Sequence, residues 1–191
     1  SITGDIYMGS ALIILKEMLQ HFSPLSNLGS QVAKRIELRS SHPNYEFIIP
    51  AIYNFKHGVE LSLKMLGIID YGKYEEVHDL STLFDVLKTA SQNTVNEDLI
   101  KNLYVATWST LEKYYKGSYC KTLTTASPDI KNTAERYVAS VSSAKTYIIP
   151  SRRKWVTKSL IENTINDIKL IEKEFANAKR QIQPQTLFNY N

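Results

Sequence analysis

Apolar residues recur along most of the chain at spacings of three and four, which is the period of an amphipathic α-helix. The first segment is predicted to end near Ser23-Pro24, because a residue that precedes proline disfavours helical geometry. A second helix is predicted from Pro24, which suits a first helical turn, to Arg39. The core-facing residues of the first segment are Met8, Leu12, Leu15 and Leu19.

The pattern predicts a third helix that begins at Tyr45 or Pro50 and ends at about Ile69. A loop follows at residues 71–77, and a fourth helix begins where the sequence reads "HDLS". Either Asp79 or Ser81 can accept the unpaired backbone donors of its first turn. The third and fourth helices are therefore predicted to be neighbours joined by a short connection.

Asn96 is predicted to cap a fifth helix, with Glu97 and Asp98 in its first turn, where negative charge suits the helix dipole. Residues 135–150 are β-branched and aromatic around a Ser-Ser centre, which favours a short β-hairpin. A long amphipathic helix then runs to about Arg180. Its apolar face carries Trp155, Leu160, Ile161, Ile165, Ile168, Ile171 and Phe175.

The elements predict an all-α fold, an antiparallel bundle of about six helices with a short β-hairpin before the C-terminal helix. At 191 residues the chain is predicted to form a single domain, 1–191, whose tail, 181–191, is loosely ordered. The single cysteine, Cys120, excludes an internal disulfide and favours a cytoplasmic protein. No apolar run approaches the roughly 18 residues of a membrane span, so we expect no membrane association.

Positive charge is concentrated near the C-terminus. Residues 1–151 hold 15 basic and 15 acidic residues, whereas residues 152–180 hold eight basic and four acidic ones. For the last helix as a whole, a solvated face is the commoner meaning of such a run. Its start, "SRRKWVTK", is the best candidate for binding nucleic acid, because its cations can contact phosphates and its tryptophan can stack on an unpaired base. The alternative role of the tryptophan is to anchor the helix in the core. The candidate residues are Arg152, Arg153, Lys154, Lys158 and Trp155.

A second polar feature lies in "FKHGVELSLKML", where His57, Glu60 and Lys64 form a line between two apolar faces of one helix. We interpret this line as a structural polar network that also includes His78 and Asp79, because buried charges in proteins are paired. A ligand or phosphate pocket is the alternative. No second ligand motif accompanies the His-x-x-Glu spacing, so neither a metal nor another cofactor is expected.

The segments "PAIYNFKHGVELSLKMLGII" and "HDLSTLFDVL", with a later "RYV" before the terminal helix, resemble the HEPN superfamily over about residues 45–180. The resemblance implies an antiparallel helical bundle, frequently a homodimer, encoded in toxin-antitoxin, CRISPR-associated or other phage-defence contexts. It also implies that many related proteins are metal-independent RNA endonucleases. Their signature is an arginine followed, after four to six residues, by a histidine near the start of a late helix.

The chain departs from that signature, because all four histidines lie in its first half. Arg35 and His42 have the required spacing and combine a cation with a group that titrates near neutrality, as acid-base cleavage of RNA requires. We favour the reading in which His42 is a loop residue beside Pro43 and Arg35 pairs with a nearby glutamate. The sequence thus predicts a helical module that binds RNA or a partner protein of the same operon without catalysis. A metal-independent endoribonuclease and a structural protein without nucleic acid are the alternatives.

Overall fold

A computed structural model of the chain describes residues 3–21, 48–115 and 157–184. Within these ranges the chain is helical and contains no strand. The described helices, numbered here in chain order, are α1 Thr3–His21, α2 Ile48–Tyr71, α3 Leu80–Ala90, α4 Glu97–Tyr115 and α5 Lys158–Gln181. The predicted second helix and the predicted β-hairpin lie outside the described residues and stay predictions.

Helix α2 is the central element of the described bundle. It packs against α1 along one side and also contacts α3 and α5, while α4 contacts α3 and α5. Its apolar residues Phe55, Val59 and Leu66 are each fully buried. Because neighbours cover several of its faces, α2 buries polar side chains as well, among them the carboxylates of Glu60 and Asp70.

Helices α1 and α2 approach each other closely where two glycines meet. A Cβ atom on Gly58 would lie 2.8 Å from Met8 Cγ and 2.9 Å from the Gly4 carbonyl oxygen. A Cβ atom on Gly4 would lie 2.9 Å from the Gly58 carbonyl oxygen. Backbone atoms cannot move aside as a flexible side chain can, so this crossing requires residues without a side chain.

Each described helix buries an apolar face in the core, and the described residues of the faces predicted for α1 and α5 are buried or partly buried. Burial of one such side chain stabilises the fold by about 1.5–3 kcal/mol relative to exposure. Representative fully buried residues, one or two from each helix, are Met8, Leu15, Phe55, Phe84, Tyr114 and Phe175. Of the two residues predicted to cap the helix that begins at "HDLS", Asp79 is the one that does so. Its side chain accepts a hydrogen bond of 2.7 Å from the backbone nitrogen of Thr82.

The side chain of Asn96 does not cap α4 as the sequence predicts. Its backbone carbonyl accepts a hydrogen bond from Ile100 at the start of α4, but its side chain bonds to Asp70 and to the main chain of Gln183. Tertiary contacts have therefore taken the side chain from the cap. Within the described ranges, none of the helices combines the length and apolar character needed to cross a membrane.

Candidate functional site

The candidate site is built around Glu60, on a face of α2 where only 1% of the side chain is exposed. Lys64, one helical turn later, places its Nζ atom 2.9 Å from Glu60 Oε1. His78 comes from the connection before α3 and places Nδ1 2.8 Å from the same oxygen. His57 Nδ1 lies 3.7 Å from the other oxygen, Oε2. We call these four residues the Glu60 cluster.

The Glu60 cluster keeps its carboxylate ionised. Burial alone raises the pKa of Glu60, but interactions with His57, Lys64 and His78 outweigh it, and the pKa falls from 4.5 to about 2. Above about pH 4 the group is therefore an anion, which can only accept hydrogen bonds. The Lys64 ammonium lies next to it, so the charge of the carboxylate is compensated inside the protein.

His78 is the most exposed member of the Glu60 cluster, with 45% of its side chain accessible, against 17% for His57 and 13% for Lys64. Because the anionic Glu60 can only accept, the hydrogen bond to His78 Nδ1 requires a proton on Nδ1. In the neutral ring, Nε2 then carries the free lone pair. The arrangement is a carboxylate–imidazole pair in which the buried partner selects the tautomer of the exposed one.

Aromatic rings surround the Glu60 cluster on its other sides. The His57 ring stacks on Tyr53, with centroids 5.6 Å apart and planes 11° apart, and meets Tyr7 edge-on at 4.7 Å. Lys64 Nζ lies 5.7 Å from the centroid of the Tyr74 ring. These contacts hold His57 and Lys64 in fixed orientations, and a cation near an aromatic face gains about 0.5–2 kcal/mol.

The structure brings together four of the five residues predicted as a polar network, His57, Glu60, Lys64 and His78. The fifth, Asp79, binds the first turn of α3 instead. Since Asp79 follows His78 directly, its cap still fixes the backbone from which the imidazole reaches Glu60. The residues Arg35, His42, Arg152, Arg153, Lys154 and Trp155 lie outside the described residues.

A second buried carboxylate, Asp70, lies near the end of α2 and was not predicted from the sequence. Its Oδ2 accepts a 2.6 Å hydrogen bond from Ser91 Oγ, and its Oδ1 accepts one of 2.6 Å from Asn96 Nδ2. Asn96 also binds the main chain of Gln183, donating to its oxygen at 2.6 Å and accepting from its nitrogen at 3.0 Å. We call Asp70, Ser91 and Asn96 the Asp70 cluster, which links α2, the α3–α4 connection and the end of α5.

Another unpredicted polar residue is Lys56, whose side chain is 0% exposed in the middle of α2. Its Nζ atom lies 4.5 Å from the centroid of the Tyr115 ring at the end of α4. One feature of the sequence indicates that Lys56 and Asp70 are buried. Both lie in a helix whose apolar residues leave no broad polar face. Periodicity identifies such residues as exceptions but does not supply their partners.

The outer surface of α5 carries a basic ridge, defined here as Lys158, Glu162, Lys169, Lys173 and Arg180. All five residues are exposed, and they fall within an arc of about 60° on a helix of 3.6 residues per turn. The ridge has four cations and one anion over about 33 Å, at 1.5 Å per residue. Another acid of α5, Asp167, faces α4, where it accepts from Tyr114 at 2.8 Å and pairs with Lys113 at 3.4 Å.

Among the described residues, no group of three or more histidine, cysteine or acidic side chains is arranged to hold a metal ion. Comparison of the chain with protein-family models finds no match, and neither a curated protein nor a solved structure matches it. The features of the described residues that bear on function are therefore the two polar clusters and the basic ridge.

Proposed function

We propose that the chain is an HEPN-like helical module that binds RNA through the basic ridge of α5 and the basic segment that precedes it. The observation that carries this proposal is the alignment of four exposed cations along one face of α5. A line of cations of this kind neutralises successive phosphates and releases their counterions, which is the main source of sequence-independent affinity.

The placement of two of the four acids of α5 supports the same reading. Asp167 is occupied by Lys113 and Tyr114 at the α4 interface, so its charge is compensated away from the ridge. Glu162 is the one acid on the ridge, and it lies 3.8 Å from Lys158. Within the described residues, Lys169 and Lys173 form no ion pair. Their charges are thus available to a polyanion along the central part of the helix.

More cations precede the ridge in the sequence. Arg152, Arg153 and Lys154 lie four to six residues before Lys158, and Trp155 follows them. A cationic track with an interspersed aromatic residue matches the needs of single-stranded RNA, whose unpaired bases stack on aromatic rings. The module is proposed to bind without cleaving, because the late helices have no histidine to complete the arginine–histidine signature.

The test is the affinity of the purified chain for a fluorescently labelled single-stranded RNA, measured by anisotropy over a series of salt concentrations. In the variant Lys169→Gln/Lys173→Gln we expect roughly tenfold weaker binding and a salt slope about 1.4 units shallower, since each lost contact to single-stranded RNA removes about 0.7. The matched control is Lys16→Gln/Lys101→Gln, which removes two exposed lysines from α1 and α4.

Equal loss in both variants would mean that net charge alone governs binding, and the ridge would then have no special part. Binding unchanged by Lys169→Gln/Lys173→Gln and by Ala at Arg152, Arg153 and Lys154 would reject the proposal. The same RNA incubated with EDTA reports cleavage. If cleavage occurs and is lost in Arg35→Ala/His42→Ala, the endoribonuclease alternative replaces binding without catalysis.

A further inference from the structure

The Glu60 cluster has a feature that a purely structural ion pair does not need. The buried Glu60–Lys64 pair is already formed within one helical turn, with both charges compensated at 2.9 Å. His78 adds a third group from a different segment and stays 45% exposed. Its Nδ1 atom lies 2.8 Å from the buried carboxylate, while nearly half of the side chain is accessible.

We propose that His78 is a phosphoryl-accepting nucleophile, with Nε2 as the attacking atom and Glu60 as the positioning residue that holds Nδ1. A histidine nucleophile requires an oriented ring and a partner for the second nitrogen. The 2.8 Å contact between His78 Nδ1 and Glu60 Oε1 supplies both. The proposal is independent of RNA binding, because it uses no residue of the basic ridge.

Glu60 matters most as positive charge develops on the ring. When Nε2 of the neutral ring forms a bond to phosphorus, the imidazole becomes cationic while Nδ1 keeps its proton. An adjacent carboxylate stabilises such an imidazolium without taking its proton, as it does in serine hydrolases. Glu60 suits this role because its low pKa makes it a poor proton acceptor.

Lys64 lies beside the proposed nucleophile, and its charge is paired with that of Glu60. Its Nζ atom contacts the same Oε1 atom as His78 Nδ1, so the ammonium and the imidazole lie on one side of the carboxylate. Lys73 is also exposed in the connection that carries His78. The acids of this connection are Glu75, Glu76 and Asp79, and Asp79 is hydrogen-bonded to the first turn of α3. Lys64 is therefore the cation that these contacts place beside His78.

The donors that fit are small compounds with a labile phosphoryl group, either an acyl phosphate or a phosphoramidate. The Nε2 lone pair forms a nitrogen–phosphorus bond while the phosphorus–oxygen bond of the acyl phosphate breaks, and the carboxylate leaves with the bonding pair. From phosphoramidate, the phosphorus–nitrogen bond breaks, and ammonia leaves after taking a proton from water. Oxidation states are unchanged, and phospho-His78 retains the Nδ1 proton toward Glu60.

The experiment exposes the purified chain separately to acetyl phosphate and to phosphoramidate, and locates phosphate on each histidine by mass spectrometry under alkaline conditions. We expect labelling of His78 to be faster than that of His21, His42 or His57, by about tenfold, because Glu60 orients its ring and compensates the charge that develops on it. The donor class is read from which reagent gives the faster reaction.

Glu60→Gln tests the positioning role, and labelling of His78 is expected to fall about tenfold when the anion behind the imidazolium is removed. Ser91→Ala is the control, because it weakens the Asp70 cluster without touching His78. Circular dichroism verifies that both variants are folded. If Glu60→Gln does not fold, the comparison among the four histidines of the wild-type chain decides alone.

Labelling spread evenly over the histidines, or unchanged in folded Glu60→Gln, would overturn the proposal and leave His78 as a tether between the α3 connection and α2. Loss of selective labelling would not affect the RNA-binding proposal, whose readout is anisotropy. Conversely, loss of RNA binding in the ridge variant leaves the labelling result unaffected.

Discussion

Helix α2 carries two buried carboxylates, Glu60 and Asp70, that are equally inaccessible, each at 1% exposure, yet their described partners differ. Glu60 contacts two histidines and a lysine, all of which can carry charge. Asp70 accepts from a serine hydroxyl and an asparagine amide, which stay neutral at every pH of interest. Burial alone therefore does not decide what a carboxylate does.

The difference lies in what each cluster connects. The Asp70 cluster joins α2 to the α3–α4 connection through short hydrogen bonds between buried side chains, and Asn96 extends it to the main chain of Gln183. The Glu60 cluster ends at His78, whose side chain is nearly half exposed. Neutral buried partners favour fixed geometry, whereas titratable partners at a surface favour chemistry.

The largest expected effect is the loss of stability when the buried Asp70 carboxylate is removed, compared with the loss of an exposed acid. Asp70→Ala should lower the free energy of unfolding by about 4 kcal/mol, because two buried donors lose their acceptor. Urea denaturation followed by circular dichroism measures this. The control is Asp85→Ala, which removes an exposed acid paired with Lys88 at 2.8 Å and should change stability by less than about 0.5 kcal/mol. A loss of under about 1 kcal/mol for Asp70→Ala would refute the structural role.

An intermediate effect belongs to Glu60 and depends on pH. Its pKa in the folded chain, about 2, lies below the ordinary 4.5, so its stabilising contribution is complete above about pH 4.5 and is lost as the pH falls toward 2. Glu60→Gln does not titrate and serves as the reference. Between pH 6 and pH 3 the stability difference between wild type and Glu60→Gln should shrink by about 2 kcal/mol, measured by urea denaturation. A constant difference would contradict the low pKa.

The smallest effect concerns the exposed end of the Glu60 cluster. His78→Ala should destabilise the chain by only about 1 kcal/mol, because water replaces part of the lost hydrogen bond at a half-exposed site. Asn96→Ala, in the Asp70 cluster, should cost about 3 kcal/mol, since it leaves the buried Asp70 carboxylate without one of its donors and also removes both bonds to the main chain of Gln183. Equal losses in the two variants, by chemical denaturation, would remove the distinction between a structural cluster and a reactive one.

Local features of the sequence predicted much of the described fold. The apolar faces of α1 and α5 follow from residues such as Leu15 and Ile168, and the end of the α2–α3 connection follows from Asp79, whose capping needs only neighbours in sequence. The line of His57, Glu60 and Lys64 was visible because it interrupts an apolar helix. His78 was added to this line because the connection between α2 and α3 is short, which keeps its residues close to α2.

The Asp70 cluster could not be predicted in the same way. Its members Ser91 and Asn96 lie 21 and 26 residues from Asp70, and the contact with Gln183 spans 87 residues. Local rules assign Asn96 to helix capping, and only the packing of α2 and α5 reveals a stronger set of partners. Long-range polar contacts of this kind are fixed by tertiary geometry, which single-sequence periodicity does not contain.

The clasp between Asn96 and the main chain of Gln183 has a consequence for sequence variation. An asparagine amide that donates to a peptide oxygen and accepts from the peptide nitrogen of the same residue reads only backbone atoms. Position 183 is therefore free to drift among nearly all residue types, with proline as the exception because it has no N–H. Position 96 has no such freedom, so the contact that fixes the backbone at position 183 depends on a residue 87 positions earlier in the sequence.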